Sequence, residues 1–323
     1  MQADLAKWLD DVWDRRDELL AESKTQGFIK GRGASAGMGK NEGAGLIYDM
    51  YNARDASGVS SSDDSHLSAM QRELVLLENA IKETPEIQGL KFKKMPRGWM
   101  ATAKTSQLSN EFFHYRVKRD ECAYRIYVNA VPAARGQVFR NILADHGLWK
   151  VPGLHNAKVS SPDDGGRVDT IVIYLATSTA AEAALACISA YHKKEPGNFS
   201  GILPKLVEPA SVADYKMHGV GTAMEPPGFT LVSTGGKFYQ RERAQSFGAY
   251  RSELIFMALE RTRLNVTGQS EQQRKIAFKN RVEKYFRRAG IDPDRPALQG
   301  AVEDLPSIAT IQNWANTVDK KLV

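Results

Sequence analysis

Three short apolar segments carry polar residues where chemistry could be done. CAYRIYVNAV (122–131) sets Arg125, Tyr127 and Asn129 between Ile and Val. At a period of two these three share one face, while Ile126 and Val128 pack behind. LHNAKVSS (154–161) carries Lys158 beside Val159. RVDTIVIYLA (167–176) opens with Arg167 and Asp169, two apart, and holds Tyr174 near the end of a nearly all-apolar centre. If these strands pair, Arg125, Arg167 and Lys158 can reach one place. Neighbouring positive charge and burial push a lysine toward a pKa at which it can take a proton. Arginines hold a phosphate with parallel N–H bonds. Each residue also has an ordinary reading. Lys158 is then a solvated strand residue and Tyr174 a half-buried tyrosine whose hydroxyl finds a partner. Arg167 and Asp169 are then a surface pair contributing about 0–1 kcal/mol.

Other motifs carry less. Gly31, Gly33, Gly37, Gly39, Gly43 and Gly45 invite a phosphate-loop reading. No strand precedes them, and Gly39-Lys40 is followed by Asn41 rather than Ser or Thr, so the reading fails. Cys122 and Cys187 read as reduced core thiols, with neither a disulfide framework nor a zinc site. His114, His146 and His155 lack metal spacing or a carboxylate partner. His218, before Gly219-Val220-Gly221, reads as a loop residue or as an acid. The formal charge is +6. That favours an anionic partner, a phosphate or an acidic protein surface, and no nucleic-acid motif accompanies it. No apolar run approaches the roughly 20 residues of a membrane span. The first 20 residues lack the apolar centre of a secretory signal.

The elements that must position these residues follow from periodicity. Leu5, Trp8, Leu9, Val12, Trp13, Leu19 and Leu20 predict one amphipathic helix within residues 1–26, built for core packing or for docking a partner such as a secretion chaperone. Residues 27–65, rich in Gly and Ser, read as a flexible linker. Leu67, Met70, Leu74, Leu77 and Ile81 predict a helix over 66–83. A Pro-Arg-Gly turn follows. Next come strand 122–131, a helix over 133–147 stopped by Gly147, strand 154–161, a turn at 162–166, and strand 167–176. Ser178 or Thr179 caps a helix, and 199–250 reads as loop and short strand. A helix opens at SFGAYRSELIFMALERT, with Leu254, Met257 and Ala258 inward. A last helix near 271–289 carries Ile276, Phe278, Val282, Tyr285, Phe286 and Ala289 and ends at Gly290. The order implies an α+β fold: a central mixed or antiparallel sheet with helices packed on it, and N-terminal helices and a C-terminal helix as additions.

The blocks NAKVSSPDDGGRVDTIVIYLA, HGVGTAMEPPG and SFGAYRSELIFMALE, with the end RRAGIDPDRPALQG, resemble in order and spacing those of HopA-type type III secreted effectors. The resemblance spans roughly residues 120–300 and marks 66–300 as the family domain, with 301–323 as a tail. It implies a protein cytoplasmic in the producing bacterium, or one secreted into a host cell to meet a host immune protein. The same blocks are fainter likenesses of phosphothreonine lyases and of the lyase components of lanthipeptide synthetases. In those enzymes a strand Lys is the base, so the resemblance casts Lys158 of AKVSS in that part. It makes Tyr174 the matching strand-end tyrosine, and Arg125, Arg167 and Arg251 of YRSEL the phosphate-binding arginines. The lyases place a Lys and a His two apart on the first strand. Here Arg125 and Tyr127 stand there, so the cation is kept and the histidine acid is missing. Tyr127, or His218, is then the substitute, although a phenol near its reference pKa of about 10 is a poorer acid than imidazole. Arg251 also has an ordinary reading, as a helix cap or cross-link. Two functions follow. One is a phosphoserine or phosphothreonine lyase acting on a phosphorylated peptide or protein without metal or cofactor. The other is a non-enzymatic effector or binding module.

Overall fold

The computed structural model describes residues 1–25, 42–52, 64–83, 112–117, 122–160, 167–234, 237–242, 245–263 and 268–300. The expected Pro-Arg-Gly turn, the 162–166 turn and the 301–323 tail lie outside these residues. The described helices are α1 (Ala3–Asp14), α2 (Arg16–Thr25), α3 (Glu42–Asn52), α4 (Asp64–Glu83), α5 (Arg135–Arg140), α6 (Ser178–Lys194), α7 (Phe247–Arg263) and α8 (Glu271–Arg288). The described strands are β1 (Phe112–Arg116), β2 (Tyr124–Val128), β3 (Leu154–Ser160), β4 (Ile171–Leu175), β5 (Glu208–Val212), β6 (Tyr215–Met224), β7 (Phe229–Thr234) and β8 (Lys237–Glu242). The fold is α+β, and every strand pair is antiparallel. Two compact units form: Met1–Tyr51 with Glu225–Val323, and Asn52–Met224.

In the second unit the strands run in the order β1-β3-β4-β2-β6-β5. Alternation assigns the faces. Ile126 and Val128 of β2, Ala157 and Val159 of β3, and Ile171, Ile173 and Leu175 of β4 join one core. Met70, Leu74 and Leu77 of α4, Val138 and Phe139 of α5, and Ala184 and Ile188 of α6 complete it. Each fully buried branched side chain contributes about 1.5–3 kcal/mol. The helix expected at 133–147 is compound: a 3-10 turn at Pro132–Ala134, then α5, then a π turn at Asn141–Asp145. It does end at Gly147, with φ of 75°. Helix α6 is capped by Thr177, whose hydroxyl accepts from the Ala180 N–H at 3.1 Å, one residue before the expected Ser178. The 199–250 region is richer in strand than expected, holding β5 to β8.

In the first unit the single helix expected near the start is two, α1 and α2, broken at Arg15 (φ −95°, ψ 9°). All seven apolar residues that predicted it are buried, which favours core packing over docking. The Trp13 ring packs tilted against Phe278 of α8, centroids 5.6 Å apart, and its indole N–H donates to Glu271 at 2.8 Å. Lys275 and Lys279 pair with Asp10 at 2.9 and 2.7 Å. Ile276 is 49% exposed. It lies two residues from Phe278, about 200° around the helix, so both cannot face inward. The stretch read as a linker contains α3. Gly43 there is a packing residue, since an added Cβ would sit 2.2 Å from the Phe256 ring and 2.5 Å from the Leu19 carbonyl oxygen.

Candidate functional site

The site lies on the face of the second unit's sheet turned away from the helical core. Register puts Arg125 opposite Tyr174 and Tyr127 opposite Val172. It puts Asn156 opposite Tyr174 and Lys158 opposite Val172 on the other side of β4. Arg125 and Lys158 therefore stand on strands flanking Tyr174. The Arg125 guanidinium carbon is 4.8 Å from the Tyr174 ring centroid, and Lys158 Nζ is 6.0 Å from it. The ring's negative face attracts both cations. Lys158 and Tyr174 are half-buried, whereas Arg125 and Tyr127 are buried.

Tyr127 belongs to the same group. Burial pushes its phenol well above the usual range, while Arg125, through its charge and a hydrogen bond, pulls the other way. Tyr174 and Asp169 add to the upward push. A phenol held so high is better suited to anchoring Arg125 than to releasing a proton near neutrality. Arg167 joins through Asp169. Its Nε donates to Asp169 Oδ1 at 2.9 Å and its Nη2 to Oδ2 at 2.8 Å. This is the pairing that the ordinary reading allowed, but Asp169 is buried, so it is no surface ion pair. Asn52, which the sequence did not single out, donates to Asp169 Oδ1 at 2.7 Å.

Two expected members have partners of their own. Arg251 is in the first unit, on α7, and is fully buried. Its Nε donates to the Pro296 carbonyl at 2.8 Å and its Nη2 to that of Leu298 at 3.4 Å. Its guanidinium carbon lies 3.6 Å from the Phe247 ring centroid. That geometry is the cross-link of the alternative reading. His218 is on β6 rather than in a loop and is exposed, with Nε2 donating to the Pro196 carbonyl at 2.9 Å. Its ring lies edge-on to His192 at 4.5 Å. Its contacts are with Pro196, His192 and Phe199.

Both cysteines are half-buried and neither forms a disulfide. Cys122 Sγ lies 3.3 Å from Nδ1 of His155, the extra residue at the β3 irregularity between Leu154 and Asn156. Strand β1 was not foreseen, and it brings His114 into register with Lys158. The alternation of FFHYR was the available signal for it.

Comparison with known proteins agrees with this architecture. An effector protein from Pseudomonas syringae pv. tomato strain DC3000 is 17% identical, with a TM-score of 0.52 over 91% of this chain and 100% of that one. An effector from Pseudomonas syringae pv. syringae strain 61 is 16% identical, with a TM-score of 0.54 over 93% and 97%. The phosphothreonine lyase SpvC, an effector from Salmonella, is 13% identical over 49% of this chain and 90% of that one, with a TM-score of 0.29. No curated protein matches. The model of the HopA1 effector protein family matches residues 103–298, which hold all but one of the residues of the sheet-face group, and the chain belongs to that family.

Proposed function

We propose that this sheet face binds a phosphomonoester and that the protein eliminates phosphate from phosphoserine or phosphothreonine in a peptide. The observation that carries the reading is the placement of Arg125 and Lys158 about one tyrosine ring, on strands flanking β4. In the reaction, Lys158 takes the α-proton. The C–H electron pair becomes the Cα–Cβ double bond, the Cβ–O bond breaks, and phosphate leaves with that oxygen. Arg125 and Arg167 hold the phosphate oxygens as their charge rises, which is where fixed cations lower a barrier most. No oxidant or co-reactant is needed. Membership of an effector family points to a target in a host cell. No helix among the described residues is long and apolar enough to cross a membrane.

The test is mass spectrometry of a phosphothreonine peptide incubated with the protein. Loss of phosphoric acid with formation of the dehydro residue is expected, and Lys158→Ala should abolish it. Hydrolysis to threonine, or an unchanged peptide, overturns the lyase reading. A second reading, a phosphate-directed binding module without turnover, is favoured by one observation: the buried, high-pKa phenol of Tyr127 is a poor acid. In that case the peptide is retained, unchanged, and Lys158→Ala weakens its binding.

A further inference from the structure

We propose that Asn52 is a positioning residue for this site, holding Asp169 so that Asp169 fixes the direction of Arg167. The inference rests on the phosphate-site reading and adds to it a residue far away in sequence. Asn52 and Asp169 are 4% and 5% exposed. A buried carboxylate is tolerated only where its oxygens are satisfied. Asn52 satisfies one of these oxygens and also holds the backbone of residues 168 and 169. Its side-chain N–H donates to Asp169 Oδ1 at 2.7 Å, and its own Oδ1 accepts from the Asp169 backbone N–H at 3.3 Å. Its backbone carbonyl accepts from the Val168 N–H at 3.2 Å. Residues 168 and 169 are thereby clasped just before β4.

Asp169 passes this order on. It engages Nε and Nη2 of Arg167, at 2.9 and 2.8 Å. A guanidinium is a rigid plane with five N–H groups, and these two bonds lie along its side edge. Together they fix the plane. The end-on edge, formed by Nη1 and Nη2, is then pointed by Asp169 and not by the rotors of the arginine stem. Fixing a long side chain before the ligand arrives removes an entropy cost that binding would otherwise bear.

The experiment measures phosphothreonine-peptide affinity and elimination kinetics for the wild type, Asn52→Ala, Arg167→Ala and the double variant. Thermal melting is recorded for each. Asn52→Ala is expected to raise KM and the binding constant Kd about tenfold, with kcat changed far less. The double variant should bind no worse than Arg167→Ala alone, because the clasp then has nothing to aim. A general loss of packing would instead add to the arginine loss. Asp169→Asn keeps the shape and removes the charge. It should weaken affinity in the same direction should Asn52→Ala fold poorly. Losses that add in the double variant, or unchanged affinity in both Asn52→Ala and Asp169→Asn, overturn the inference while leaving elimination by the wild type intact. If the wild type binds the peptide without eliminating phosphate, the lyase reading falls and the coupling is read from affinity alone. If it neither binds nor eliminates, both fall.

Discussion

Arg251→Ala separates the two roles open to this arginine. Its Nε bond to the Pro296 carbonyl is well formed at 2.8 Å, whereas the Nη2 bond to Leu298 is long at 3.4 Å. Counting the first in full and the second in part gives about 1.5–3 kcal/mol for hydrogen bonds from a charged donor. The guanidinium over Phe247 at 3.6 Å adds up to about 2 kcal/mol at a desolvated site. Relief from burying a charge offsets part of this, so a net loss of about 3 kcal/mol is expected. With a urea slope of about 2 kcal/mol/M, the midpoint of the transition reporting on the first unit should fall by about 1.5 M. Arg251→Met, which keeps an apolar stem on Phe247, should lose less. Phosphopeptide affinity, measured on folded protein well below that transition, should be unchanged. An unchanged urea midpoint together with lost phosphopeptide affinity would refute the structural assignment and return Arg251 to the phosphate site.

Further outcomes follow from other parts of the fold. Gly219→Ala should destabilise the second unit by more than about 2 kcal/mol, because two faults combine there. Its φ is +69°, and a Cβ would lie 2.0 Å from the Ser200 carbonyl oxygen; a melting temperature within a degree of wild type would show that reasoning to be wrong. His192 supplies a pH dependence. It is buried, its Nε2 donates to the His218 carbonyl at 3.1 Å, and its Nδ1 therefore accepts from the Tyr215 hydroxyl at 2.8 Å. Burial lowers its pKa; the hydrogen bond to the His218 carbonyl pulls part of the way back, and the His218 charge adds a smaller lowering. The unfolded chain therefore binds a proton more readily than the folded one. The stabilisation is complete above the unfolded value of about 6.5 and is lost as pH falls below it. His146, lowered by burial and by Lys194, adds to the same slope. Urea midpoints should fall between pH 7.5 and 5.5, and less steeply in His192→Gln; an equal slope in the two proteins would remove His192 from the account.

What the sequence disclosed, and what it hid, divides along physical lines. The period-two pattern in YRIYV already separated Ile126 and Val128 from Arg125 and Tyr127, because a strand with one face in a core must alternate, whereas the nearly all-apolar IVIYL did not assign its faces. The pairing of β2 with β4 and of β4 with β3 makes that local pattern into a shared face. Long-range partners were not legible. Nothing in YDMYN marks Asn52 as the partner of Asp169, 117 residues on. Arg251 shows the converse. Its block resembled a phosphate-binding segment, but the carbonyls it meets belong to Pro296 and Leu298, whose nearness depends on how the chain returns after α8. The glycines around α3 misled for a related reason. Glycine marks flexibility and close approach alike, and only the neighbour, Phe256 beside Gly43, tells which.

The buried carboxylate among the cations is the feature that most needs a physical reason. Under the proposed function Arg125 and Arg167 serve one phosphate, and both are buried or largely so. Like charges drawn from water toward a common centre repel, and each carries a desolvation cost. Asp169 lowers both costs for Arg167, with which it is paired at 2.9 and 2.8 Å. In that reading a phosphomonoester, bringing about −1.5 to −2 at neutral pH, meets the two guanidinium charges. By the same proposal the carboxylate weakens the field felt by the phosphate, but it makes the largely buried Arg167 guanidinium tolerable and orders it beforehand. A site meant only to attract acidic surfaces would gain nothing from a buried carboxylate with three bonds from Asn52 and Arg167 on it. A site meant to orient one compact dianion gains direction from it.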